Sequence, residues 1–118
     1  MKYKLHNLKN NDIIEAMLNS TMTSDRLLAI HFQYKDIDES KLRKKIQVEY
    51  NKAISKEERV IMLDNISFYV YYSKSKKIKS YINILIRHHS YKAVDINSHD
   101  KNTILNFIYS FLKNELDE

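Results

Sequence analysis

Arg26 and His31 stand with four residues between them in Arg26-Leu27-Leu28-Ala29-Ile30-His31. An arginine can hold a phosphate while a histidine moves a proton at a 2′-hydroxyl, so the pair has the means for RNA cleavage. On a helix, however, that spacing sets the two side chains about a turn and a half apart, off a common face. A structural arginine and histidine are therefore the expectation, and the chain is expected not to be an enzyme. A second constellation lies further on. No acidic residue occurs between Asp64 and Asp95, an interval that holds Lys74, Lys76, Lys77, Lys79, Arg87 and Lys92. The formal net charge is +5, so the remainder of the chain is close to neutral. Tyr69, Tyr71, Tyr72 and Tyr81, with His88 and His89, interleave these cations. Lysines that neutralise phosphates beside aromatics able to stack are the makeup of a nucleic-acid surface. A solvated lysine face over core tyrosines is the bland alternative. Local segregation of the charge favours an anionic partner.

Other chemistries are excluded or weakened by what is missing. The 118-residue chain has no cysteine, which removes disulfides, thiolate metal sites and thiol nucleophiles. It also has no glycine and no proline. Loops that cradle phosphates need glycine for close backbone approach, so nucleotide-binding enzymes are disfavoured, and tight hairpins with them. His88-His89 could suggest a metal pair, but neighbours on a helix diverge by ~100° and no carboxylate stands close in sequence. Asp36, Asp38 and Glu39 lack the glycine of a calcium loop and suit a helix N-terminus instead. No metal and no cofactor are expected. No stretch approaches the ~20 apolar residues of a membrane span, and the first residues are too polar for a secretory signal. A cytoplasmic protein without a membrane partner is expected.

The elements that must position these residues follow from apolar spacing. Ile13, Ile14, Met17 and Leu18 predict a helix over 12–19, and a second is predicted over 26–33. Asp38 can cap a third, over 38–54, with Leu42, Ile46, Tyr50 and Ala53 on one face and Lys41, Lys44, Lys45 and Lys52 on the other. Ser55-Lys56-Glu57-Glu58 has capping-box form and predicts a fourth helix through Val60, Leu63, Ile66, Tyr69 and Val70. Ile66, Phe68, Val70 and Tyr72 also alternate as a strand does. Without a glycine turn to pair such a strand, the helix is preferred. A fifth helix is predicted over 76–88. Ser98 or Asp100 caps the last, where Ile104, Leu105, Ile108, Phe111 and Leu112 form an amphipathic stripe. The expectation is one all-α domain over 1–118, a compact bundle of five or six helices, with residues 1–11 as a loose arm.

Ile37-Asp38-Glu39-Ser40-Lys41-Leu42-Arg43 is similar to an apolar-x-x-Ser-Lys-Leu-Arg motif in one family. Leu63-x-x-Ile66-x-Phe68-x-Val70-Tyr71-Tyr72, then Ile78-x-x-Tyr81-Ile82, resemble that family's next two helices in order and spacing. The stretch from Thr103 falls where its terminal helix lies. The family is the small all-helical subunit of type III-A (Csm) CRISPR–Cas effector complexes. The resemblance implies a non-catalytic subunit that stacks into a filament with its own copies, beside other effector-complex subunits. It also implies contact with the crRNA–target RNA duplex backbone, without sequence readout. By position, Lys41 and Arg43 match the Ser-Lys-Leu-Arg element. The basic turn corresponds to the Lys74–Lys79 cluster, with the family's arginine matched by Lys74, Lys76 or Lys77. Lys44, Lys45, Lys79 and Arg87 complete the candidate RNA-binding set. Two other functions remain open: a protein–protein module, such as an immunity or host-modulating protein, and a ribonuclease of the HEPN type, whose Arg-x4-His spacing Arg26 and His31 share.

Overall fold

The computed structural model describes residues 11–75 and 77–114. Three helices come first: α1 (Asn11–Leu18), α2 (Thr23–Tyr34) and α3 (Glu39–Ser55). Four strands follow, β1 (Val60–Met62), β2 (Ile66–Tyr71), β3 (Ser80–Ile86) and β4 (His89–Ile96), and then α4 (Lys101–Leu112). The arm expected over 1–11 lies outside the described residues, apart from Asn11 at the start of α1.

The helices lie where apolar periodicity placed them. Asp38 caps α3 by accepting from the backbone N–H groups of Ser40 and Lys41 at 3.1 and 3.4 Å. Asp100 caps α4 through the Thr103 N–H at 2.8 Å. Such caps each stabilise a helix by about 1 kcal/mol. Hydrogen bonds from Ser40 and from Thr103 hold the Asp38 and Asp100 carboxyls below the usual carboxylate range.

The all-α expectation is corrected between α3 and α4. Residues 60–96 form a four-stranded antiparallel sheet in the order β1-β2-β3-β4, so the protein is mixed α and β, and no helical bundle forms. Ser55 to Glu58, expected to open a fourth helix, instead closes α3. Glu57 takes the left-handed conformation at φ 56°, and the Glu58 N–H bonds back to Ala53 O at 2.8 Å. That is the usual helix stop with a glutamate where glycine is the common choice. The predicted fifth helix is corrected as well: it falls on the β2–β3 connection and on β3. The residues that carry the CRISPR resemblance, from Leu63 to Ile82, thus lie in strands and their connections. The all-helical subunit that the resemblance implies is not the fold observed.

Alternation explains the strands. Ile66, Phe68 and Val70 are buried and pair across with Ile86, Ile84 and Ile82. Their neighbours Ser67, Tyr69 and Tyr71 face the other way and pair with Leu85, Asn83 and Tyr81. The inner face packs on the helices. Phe68 meets Phe111 and Phe107 edge-on, with ring centroids 5.8 and 6.4 Å apart. Met17, Ile30, Tyr34, Leu42, Ile46 and Ile108 close the same core. All four helices lie on this side of the sheet. On the other side Met62 is 57% exposed and Tyr69 36%.

The glycine-free hairpin that the sequence argued against exists because other residues take the left-handed conformation. Arg87 and His88 link β3 to β4 at φ 49° and 71°. Type I′ turns require positive φ at both central positions, which costs non-glycine residues about 1–2 kcal/mol each. Contacts of the Arg87 side chain offset that cost, as described below. The β1–β2 turn and the Arg87–His88 turn share one end of the sheet. The longer β2–β3 connection lies at the opposite end.

Candidate nucleic-acid interface

The β2–β3 connection carries the basic cluster. Its backbone is held by serine hydroxyls: Ser80 Oγ accepts from the Ser73 N–H at 3.1 Å, Ser73 Oγ from Ser75 N–H at 3.2 Å, and Ser75 Oγ from Lys77 N–H at 3.1 Å. These small side chains supply the acceptors that a glycine-free loop needs. Lys74, Lys77 and Lys79 are exposed, and none makes an ion pair with another described residue. Lys76 lies outside the described residues.

Directly below this loop, Tyr71 and Tyr81 pair across β2 and β3 on the open face. Their rings stack with centroids 4.8 Å apart and planes 19° from parallel. Tyr69 follows on the same face, opposite Asn83, and β4 adds Ala93 and Asp95 beside Asn83 and Tyr81. The open sheet face therefore presents aromatic rings that run up to three ammonium groups, none of them ion-paired among the described residues. Sequence reasoning had the tyrosines and the lysines. It could not tell which tyrosines share a face, because that depends on strand register.

The other candidate RNA contacts do not join this surface. Arg43 donates to Glu39 at 3.0 Å and to Asn106 at 2.9 Å, with its guanidinium 4.0 Å from the Tyr109 ring centroid. It ties α3 to α4. Lys45 pairs with Asp64 at 3.2 Å, in the β1–β2 turn at the far end of the sheet. Lys41 and Lys44 are exposed on α3. Arg87 holds Glu15 through two bonds of 2.7 and 2.6 Å, and reaches Asn19 Oδ1 and Asn65 Oδ1 at 3.0 Å each. Its hydrogen bonds pull the Glu15 carboxyl below its ordinary range, and Glu15 in turn raises Arg87. Arg87 clamps α1 and the two turns together, and so holds its own strained conformation.

Arg26 and His31 have structural surroundings. Arg26 is 8% exposed; its guanidinium donates to Ser20 O at 2.6 Å and Thr23 Oγ1 at 3.2 Å, fastening the α1–α2 turn. His31 sits half-buried with its ring 5.7 Å from that of Phe111. Burial, opposed by a backbone hydrogen bond at Phe111, pulls the His31 imidazole below its usual range. A histidine with a depressed folded pKa binds its proton first in the unfolded chain, so stability is full above about pH 6.5 and falls as the pH drops through the folded value. Thermal melts between pH 7.5 and 5.5 are expected to show that loss, and His31→Phe to flatten it. An equal loss in the variant would assign the pH dependence to other groups.

His88 and His89 occupy the hairpin turn and the start of β4 rather than a helix end. Among the described residues no cluster of histidine and acidic side chains could hold a metal, and no helix is long and apolar enough to cross a membrane. No protein-family model matches the chain, and neither a curated protein nor a solved structure matches it significantly.

Proposed function

We propose that this protein is a non-catalytic RNA-binding protein that lays single-stranded RNA across the open face of its sheet. One observation carries the reading: the stacked Tyr71–Tyr81 pair on an uncovered sheet face, directly beneath a loop with three exposed lysines. Phosphates meet the lysines, and unpaired bases find ring faces on the tyrosines. Base–aromatic stacking is tolerant of sequence because every base has a π-face. Little base-specific preference is therefore expected. A narrower assignment to a type III-A small subunit is not part of this proposal, because the central residues that suggested it, Leu63 to Ile82, lie in strands and their connections rather than in helices.

The test compares single-stranded RNA with a duplex of equal length by fluorescence anisotropy. The single strand is expected to bind more tightly, and Tyr71→Ala or Tyr81→Ala to erase most of that margin. Stacking contributes about 1–3 kcal/mol per base, or roughly five-fold and upward in affinity. A duplex that binds as well as the single strand, with no response to either substitution, would leave only non-specific attraction to the lysines.

A protein-docking role has its own supporting observation. Met62 and Tyr69 are exposed on the neighbouring strands β1 and β2, diagonal to one another on the same open face. A stoichiometric complex with another protein, formed without RNA affinity and lost on Met62→Lys, would select that reading instead.

A further inference from the structure

At the loop end of the sheet, on the helix side, a cleft opens between the C-terminal half of α3, the start of β1, the end of β2 and the start of α4. Tyr50, Ile54, Glu58, Arg59, Tyr72 and His99 form most of its wall. Its volume is about 180 Å³, below the roughly 300 Å³ at which sites for drug-sized ligands begin. It can take one ring system and no more. Three of the wall residues are aromatic, and the Tyr72 and His99 rings meet at 3.8 Å with planes 43° apart. Lys101 adds a cation 5.9 Å from the Tyr50 ring centroid.

We propose that this cleft binds a single nucleobase whose sugar and phosphate remain outside, at the mouth. The chemistry of the wall favours that occupant. Flat aromatic and apolar surfaces suit a planar heterocycle, and Arg59 and Glu58 offer a donor and an acceptor to its polar edge. The side chain of Arg59 makes no ion pair with another described residue. Volume excludes a whole nucleotide, so the charged part of the ligand must stand at the opening. Lys74 follows Tyr72 by two residues, so the basic loop begins beside a wall residue of the cleft. Alternation turns Tyr71 to the open face and Tyr72 toward the cleft, so one loop serves both surfaces. A strand crossing the sheet face can therefore pass the loop and turn its last base into the cleft. The inference rests on the proposed RNA binding and adds a site for one base to it.

The test follows methyl NMR signals of Ile54 and Ile104, which both line the cleft, while the full chain is titrated with adenosine monophosphate and with ribose 5-phosphate. Saturable shifts at both residues with the monophosphate, and none with ribose 5-phosphate, are expected, because the base is what enters. Tyr72→Ala is expected to weaken the monophosphate about five-fold or more, the loss of one stacking partner. Ile54→Ala, at an exposed helix position, provides a second variant if Tyr72→Ala does not fold; it is read at Ile104 alone and is expected to weaken the monophosphate as well. A short oligoadenylate is expected to produce the same two shifts as the monophosphate. Equal shifts from ribose 5-phosphate would overturn the cleft site, as would oligoadenylate binding that leaves Ile54 and Ile104 unmoved. In the second case RNA binding on the open face would stand without it. Monophosphate shifts without any oligoadenylate binding would instead remove the RNA reading and the strand path, leaving a mononucleotide site.

Discussion

Replacing Lys74, Lys77 and Lys79 together with alanine is expected to lower RNA affinity and to make the remaining binding much less sensitive to salt. Each phosphate that a lysine neutralises releases condensed counterion, and for single strands this contributes about 0.7 to the slope of log affinity against log salt. Three lysines acting on three phosphates therefore account for a slope of about 2. Between 50 and 200 mM salt the unsubstituted protein should lose about twenty-fold more affinity than the triple variant. The fold should not suffer, because the three side chains are exposed and make no ion pair with a described residue. Exposed substitutions of that kind usually change stability by no more than about 0.5 kcal/mol. Lys41→Ala with Lys44→Ala, on exposed α3 positions, supplies the control. If that pair lowers the slope as much as the loop variant does, the contact lies on α3 and the proposed surface is wrong. Arg43, Lys45 and Arg87 are unsuitable controls, since removing any of them breaks an ion pair in the fold.

The helical half of the fold was legible because its signals are local. Leu42, Ile46 and Ala53 are buried at helical spacing, and Asp38 and Asp100 cap from their own first turns. The sheet was not legible, for two reasons. Ser55-Lys56-Glu57-Glu58 satisfies the pattern of a helix start, yet a left-handed glutamate makes it a helix stop. The β3–β4 hairpin has no glycine, and its turn is supported by Glu15, which is 72 residues away in sequence. No local pattern can announce such a partner. The same limit governs the candidate site. Charge segregation draws attention to Lys74 through Lys79. Arg43 belongs to the set through the Ser-Lys-Leu-Arg resemblance, and Lys45 and Arg87 through their charge; the acids that pair with Lys45 and Arg87 meet them only through tertiary structure. The stacked Tyr71–Tyr81 pair needed a register between strands that the helical reading denied.

Phe68→Ala and Tyr69→Ala, adjacent in sequence, are expected to differ sharply in their effects. A helix through Val60, Leu63, Ile66, Tyr69 and Val70 would bury Tyr69 and leave Phe68 off the apolar stripe. The strand does the reverse. Phe68 is fully buried between Phe107 and Phe111, whereas Tyr69 stands on the open face. Truncating a buried phenylalanine removes its transfer energy and leaves a cavity, together costing about 3–5 kcal/mol. Against a typical total of 5–15 kcal/mol, that is a large share of the stability of a small protein. Tyr69→Ala should cost under about 1 kcal/mol, because little of its ring loses packing. Urea titrations give the comparison directly, as a shift in midpoint at constant slope. Equal midpoints, or a larger loss at Tyr69, would restore the helix and remove the open face on which the RNA proposal depends. The expected order separates stability from function. Tyr69→Ala should weaken RNA binding in a protein that remains fully folded, while Phe68→Ala should weaken it only as far as it unfolds the sheet.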